Sequence, residues 1–354
     1  MTVEMIKILV PAALTFLVGI AITPLVTYYL YKYQVWKKVG GKRAFDGTTA
    51  TEFNRLHADG ETKTPRMGGI IIWGPVLVVI SILALLAHLF PESLVSQFNF
   101  LSRGQTWIPF TTLLSGAFVG FWNDLLDVQP GARGLRLRER LLFVVVLSAY
   151  IGWWLYSKIG IDSINIPFWH ALYLGPFVII FFIALSFCLY ASGVIDGIDG
   201  LSGGIFASIF ASYTIIAFIE SQYNLASLCA SIVGGLLAFL WFNVPPARFY
   251  MSETGTMGLT LSLASIAFLT DAHGGGIGIA VLPIIGFLLV ITVLSNIIQI
   301  TSKRLFKRKV FLVAPLHHHF ESLGWSAAKV TMRYWILSIM FAFIGVICAL
   351  ISMS

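Results

Sequence analysis

Charge is scarce in this chain: Asp, Glu, Lys and Arg together make up 11% of its 354 residues, against about 25% in soluble globular domains. That scarcity excludes an ordinary soluble fold. Cysteine is rarer still, and Cys188, Cys229 and Cys348 all sit inside apolar runs. A disulfide framework and a Cys-based metal site are therefore excluded, and the three thiols are expected to pack as small apolar groups. No internal repeat is visible, which weakens a transporter built from related halves. The first apolar run is long enough to span a bilayer and leads into a basic stretch instead of a small-residue cleavage site, so it is expected to stay as a helix.

Apolar residues, by contrast, make up 58% of the chain. They recur in stretches near the roughly 20 residues that a helix needs to cross a hydrocarbon core. Ten spans are expected, at 5–32, 68–90, 109–126, 139–158, 172–191, 202–219, 225–243, 257–271, 277–300 and 333–352. All should be helices, because an open sheet edge is not tolerated in lipid. Lys and Arg concentrate in cytoplasmic loops of membrane proteins. Here they crowd the first connection (Lys37, Lys38, Lys42, Arg43, Arg55, Lys63, Arg66), the third (Arg133, Arg136, Arg138, Arg140) and the ninth (Lys303, Arg304, Lys307, Arg308, Lys309, Lys329, Arg333). Only Lys7, Arg103 and Lys158 fall on the other side. The expected architecture is an all-α polytopic membrane protein, residues 1–354 as one domain, with both termini outside and any chemistry at the cytoplasmic face. The net charge of +7 then reflects inner-face topology and gives no reason to invoke nucleic acid; a basic inner face suits an anionic lipid or a substrate phosphate.

Acidic side chains at the ends of membrane helices are costly and mark function by default. Four polar segments fall on the inner side. GFWNDLLDV, 120–128, ends the third span with Asn123, Asp124 and Asp127, the last two sharing a face if the helix persists; a simple polar terminus at an interface is the plain alternative. SGVIDGIDGLSGG, 192–204, frames Asp196 and Asp199 with Gly193 and four further glycines. Such a loop lets backbone approach a phosphate and offers two carboxylates to a divalent cation, or is a turn with a capping Asp. WFNVPPARFYMSETGTMGL, 241–259, holds Asn243, Tyr250 and Glu253, the last also suited to a helix start. APLHHHFESLGW, 314–325, carries His317, His318 and His319, which cannot all face one side of a helix and so suit a loop or helix entry aimed at a polar ligand. Together these segments suit a phosphorylated substrate with Mg²⁺, which uses one or two carboxylates plus substrate phosphates and neutralises a leaving phosphate.

PLHHHFESLGW, DGIDGLSGG, WFNVPPARFYM, TPRMGG and GFWNDLLDV, placed between these spans, make the chain similar over nearly its full length to the phospho-N-acetylmuramoyl-pentapeptide transferases of the polyprenyl-phosphate N-acetylhexosamine-1-phosphate transferase superfamily. The histidine segment is its most specific element. The resemblance implies transfer of phospho-MurNAc-pentapeptide from UDP-MurNAc-pentapeptide to undecaprenyl phosphate, yielding lipid I and UMP. It further implies Mg²⁺, a homodimer in the bacterial inner membrane, and a site facing the cytoplasm. By likeness, Asp124 belongs to an acidic pair at the active site, and Asp196 and Asp199 to a nucleotide and catalytic loop. Asn243, Tyr250 and Glu253 fall in a metal- and uracil-binding segment, and the three histidines on the phosphate or sugar side. Arg138 and Arg140 stand in the basic stretch after the acidic pair.

The departures from that pattern are equally specific. Asn123 replaces the first acid of the pair, and Asn cannot act as a base. Asp127 stands where a lysine is expected, Arg66 where TPTMGG has threonine, and Ser252 with Glu253 where Gly-Asp is expected. Gly193 and Tyr190 replace asparagines. A lysine expected before TPRMGG aligns nearer Glu61, with Lys63 its possible substitute. Either the enzyme is active, with Asp127 supplying the missing carboxylate and an already ionised lipid phosphate needing little base assistance, or the chain keeps the fold as a paralogue with altered substrate, impaired turnover or a regulatory role. A sister transferase using another UDP-sugar, and a lipid or nucleotide transporter, are the rival readings.

Overall fold

The structure is a computed structural model and describes residues 2–38, 40–41, 62–102, 104–131, 134–167, 169–272 and 277–353. Lys42, Arg43, Arg55, Glu61, Arg103 and Arg133, used above for orientation or alignment, lie outside the described residues. Helices dominate: α1 (Thr2–Lys32), α2 (Ile70–Leu89), α3 (Trp107–Asp127), α4 (Leu137–Trp154), α5 (Phe177–Ser192), α6 (Leu201–Ile219), α7 (Tyr223–Asn243), α8 (Ser252–Ala272), α9 (Gly278–Ile285), α10 (Phe287–Leu305), α11 (Leu316–Ser322) and α12 (Ala327–Met353).

Among the described residues, eight helices are long and apolar enough to cross a membrane. They carry outward-facing apolar side chains, such as Leu17, Leu85, Val146, Ile180, Leu294 and Phe343, of the kind that meets lipid rather than water. The protein is thus an all-α polytopic membrane protein. The expected spans at 109–126 and 257–271 coincide with α3 and α8, which are equally long but more polar. These two pack more extensively against each other than any other helix pair. Their small and polar side chains face protein, where close helix approach favours them: Thr112 Oγ1 lies 3.3 Å from Ser265 Oγ. At Gly120 the two backbones come so close that a Cβ would stand 2.0 Å from the Glu253 carbonyl oxygen. This contact sets the end of α3 directly against the start of α8.

Two expectations are corrected. The single span at 277–300 is two helices: α9 ends at Ile285, Gly286 breaks the run, and α10 begins at Phe287. Hydropathy is continuous across the break, so an apolar pattern could not reveal it. The span expected at 172–191 starts later, since α5 begins at Phe177 and Leu172–Tyr173 (β2) instead pairs antiparallel with Ser163–Ile164 (β1). Asp271 at the end of α8 accepts a hydrogen bond from the Asn165 backbone beside it (3.1 Å).

Candidate active site

One end of the bundle gathers the acidic segments. Asp124, on the last turn of α3, is fully buried. Its Oδ2 accepts bonds from the Thr254 backbone N–H (2.8 Å) and hydroxyl (2.7 Å) on the first turn of α8. Its Oδ1 faces Arg66 Nη2 at 3.3 Å. Asn123 is buried beside it, its amide 3.5 Å from the same carboxylate. One turn on, Asp127 lies at the rim and pairs with Arg66 Nη1 at 2.5 Å. Three and four residues apart on a helix are neighbours, so one guanidinium reaches both carboxylates.

Arg66 arrives on a segment held by backbone pairing. Tyr250 N–H donates to Pro65 C=O (2.8 Å), Gly68 N–H to Tyr250 C=O (2.8 Å), and Arg66 N–H to Val35 C=O (2.7 Å). Tyr250 is thereby placed by its main chain. Ser252 has φ of +58°, a region that costs an L-residue about 1–2 kcal/mol. Its groups are used: the N–H donates to Asp196 Oδ2 (2.9 Å) and Oγ accepts from Arg66 Nε (3.2 Å). Glu253, the next residue, forms an ion pair with Arg140 from the first turn of α4.

The glycine-rich loop closes against the same corner. Asp196 Oδ1 accepts from Ser202 (2.7 Å), and Asp199 Oδ2 accepts from the Ala247 N–H (2.9 Å). Asn243 ties the loop to the following turn, accepting from Gly200 N–H (2.9 Å) and donating to Phe249 C=O (2.7 Å). Gly193 forms the 3₁₀ turn that enters the loop. The crowding is greatest at Gly197, where a Cβ would come within 2.6 Å of His317 Nε2 and 2.7 Å of His318 Nε2. Only a glycine lets the Asp196–Asp199 loop lie against both rings.

The histidine segment divides. His317 and His318, on α11, are buried with ring centroids 4.3 Å apart, both against the acidic loop. His318 Nδ1 is 2.7 Å from Glu321 Oε2, which fixes the ring and directs Nε2 toward Gly197. His319 instead turns to its own approach segment, accepting from the Leu312 N–H at 3.2 Å and packing edge-on against Phe311. Lys63 and Arg138 are exposed, and neither forms an ion pair among the described residues.

The structure therefore joins Asn123, Asp124, Asp127, Asp196, Asp199, Asn243, Glu253, Arg140, His317 and His318, and sets Lys63, Arg138 and His319 apart from them. Sequence reasoning missed Glu321, Thr254 and Ser202 as partners, and Arg66 as the link between α3 and α8. Of these, only Glu321 had a legible signal, its three-residue offset from His318. As for Mg²⁺, no trio of His, Cys, Asp and Glu among the described residues forms a closed metal cage. The carboxylates gathered here are hard oxygen donors, the type that suits an ion relying on few protein carboxylates and completing its shell with water and phosphate.

Residues 106–271 match the family described as glycosyl transferase family 4. Over 292 residues the chain is 34% identical to the phospho-N-acetylmuramoyl-pentapeptide-transferase of Rubrobacter xylanophilus, covering 80% of this chain and 82% of that one. It is 30% identical to the protein of that name from Geobacillus thermodenitrificans over 96% of this chain and 97% of the other. The Clostridium perfringens protein of the same name is 29% identical, over 96% and 98%.

Proposed function

The chain belongs to the phospho-N-acetylmuramoyl-pentapeptide-transferase family, and from that membership we propose how its gathered carboxylates, arginines and histidines carry out the transfer. The reaction is the first membrane step of peptidoglycan synthesis. A phosphate oxygen of undecaprenyl phosphate attacks the sugar-bearing phosphorus of UDP-MurNAc-pentapeptide. The new P–O bond makes lipid I, and the bond to the α-phosphate breaks so that UMP leaves with the bridging oxygen. The observation that carries this reading is the meeting of Asp124, Asp196, Glu253, Arg140, His317 and His318 at one end of the bundle.

Phosphate monoesters have a second pKa near ~6, so at neutral pH the acceptor is already largely ionised. A base at position 123 is then dispensable, and Asn123 is compatible with turnover. Asp127 is engaged with Arg66 and is not poised as a substitute base. Asp196, Asp199 and Glu253 are the candidate ligands of Mg²⁺, one or two of them at a time, since no three such groups among the described residues are placed to hold a metal together; when bound, the ion would neutralise charge developing on the leaving phosphate. Arg140 holds Glu253 in place, and His318, oriented by Glu321, offers Nε2 to a phosphate or sugar oxygen. Tyr250 and Asn243 shape the nucleotide side of the same corner. Lys63 and Arg138, exposed on the basic side, suit the approach of anionic substrate and lipid headgroups. We place the site at the cytoplasmic face of the inner membrane, and the protein as a homodimer.

The test is UMP release by the purified protein from UDP-MurNAc-pentapeptide and undecaprenyl phosphate, with EDTA and excess Mg²⁺ as controls. Release abolished by EDTA and restored by Mg²⁺ is expected. Release with UDP-GlcNAc instead would replace the donor, and silence with every donor from a folded sample would overturn the reading.

A further inference from the structure

Arg66 lies at the centre of the site and has no assigned task in the transfer. We infer that Arg66 grips a substrate phosphate at the corner between α3 and α8, and that Asp127 and Ser252 position its guanidinium to do so. The inference rests on the transferase reading above and goes beyond it.

Three anchors, two at the end of α3 and one at the start of α8, converge on this one side chain. Nη1 meets Asp127 at 2.5 Å, Nη2 meets Asp124 at 3.3 Å, and Nε donates to Ser252 Oγ at 3.2 Å. The main chain on either side is fixed as well, through Val35 and Tyr250. A surface arginine would keep its rotamer freedom, whereas this one has little left to lose on binding, which is what preorganised recognition requires. The side chain is 18% exposed, between Asp127 at the rim, 27% exposed, and Asp124 behind it at 0%. An approaching phosphate therefore meets the guanidinium before it meets the buried carboxylate.

Charge makes such a cation necessary. Asp124, Asp127 and Glu253 surround the corner; Arg140 offsets Glu253, and Arg66 is the cation beside Asp124 and Asp127. Without Arg66, two α3 carboxylates would repel a phosphate dianion. The planar fork that fits a carboxylate also fits a phosphate. The structure also unites two oddities of the sequence: an acid at 127 where a lysine is expected, and an arginine at 66 where a threonine is expected, are the two ends of one ion pair. The cation has moved from α3 to the facing segment, and Asp127 became its tether.

The experiment compares kcat and both KM values of the parent with those of Arg66→Thr, Arg66→Lys, Asp127→Asn and the double variant Arg66→Thr with Asp127→Lys, alongside thermal midpoints. Loss of a charge-assisted contact predicts that Arg66→Thr lowers kcat/KM by about 10- to 100-fold. Whichever KM rises, that of the lipid phosphate or of the UDP-sugar, identifies the phosphate held. Arg66→Lys should keep part of the loss at bay, and Asp127→Asn should raise the same KM with kcat largely kept. The double variant should recover most of the lost affinity, because a cation returns to the corner although the Arg66–Asp127 pair is gone. A purely structural salt bridge predicts lowered thermal midpoints in all four variants and no recovery in the double variant; that result overturns the inference, as do parental KM values in folded Arg66→Thr. If the parent itself releases no UMP, the transferase reading fails, and calorimetric binding of UDP decides the inference alone. Equal affinity in parent and Arg66→Thr would then sink it, and a loss of about tenfold would sustain it.

Discussion

At the scale of single residues, the site works through partners that fix each functional group. His318 and Glu321 are the clearest pair, since their 2.7 Å contact selects which ring nitrogen faces the acidic loop. Glu321→Gln keeps the shape and removes the charge, and a fall in kcat of about tenfold is expected from the lost charge-assisted bond. Steady-state kinetics on a folded variant checks it. Asp199→Ala and His318→Ala should each abolish transfer with the fold retained, as read by UMP release and by the thermal midpoint; near-parental rates in either would remove that residue from the site. The histidine run was legible as a unit, but its division was not. Adjacent helical residues differ by about 100° in direction, so the offset alone cannot say which ring faces the acidic loop. That choice is made by Gly197 on one side and by Leu312 and Phe311 on the other.

At the scale of elements, α3 and α8 form the seam on which the site depends. Their polarity set them apart from the eight apolar helices, and the cause is burial against each other instead of against lipid. Gly120→Ala would press a methyl onto the Glu253 carbonyl, where backbone atoms on both sides cannot yield. Overpacking of this kind costs about 1–3 kcal/mol, and here it would also displace Glu253 and Thr254. A lowered thermal midpoint in detergent together with lost transfer is expected; an unchanged midpoint would show that the seam is looser than this contact demands. The break at Gly286 carries the opposite lesson. Ile and Leu flank it on both sides, so hydropathy has no contrast with which to mark it.

At the scale of the whole molecule, the two ends differ in character. The site end is rich in paired charge, whereas the opposite end holds Glu220, just past α6. Burial, with the charge of Asp271 adding to it, pushes the Glu220 carboxyl up to about 8. Its Oε2 accepts from Gln222, which also donates to Leu269 C=O at the end of α8. Because the folded chain holds this proton more tightly than the unfolded chain, the stabilisation is complete below the ordinary value of 4.5. It is lost as pH rises through about 8. The thermal midpoint of the purified protein should therefore fall between pH 5 and pH 8.5 by an amount that Glu220→Gln reduces. An identical pH profile in the variant would assign the effect to other groups.

Hydropathy and the placement of Lys and Arg determined that this chain is a helical membrane protein with its polar segments on one side, because solvent preference is a property of each residue and of its near neighbours. The motifs determined the family for the same reason: their information is local in the chain. What only the tertiary structure decided is which departures belong together. Arg66 and Asp127 are 61 residues apart, and Arg140 and Glu253 are 113 apart. Electrostatic pairing depends on distance in space, and no periodicity along the chain encodes it until the helices have packed.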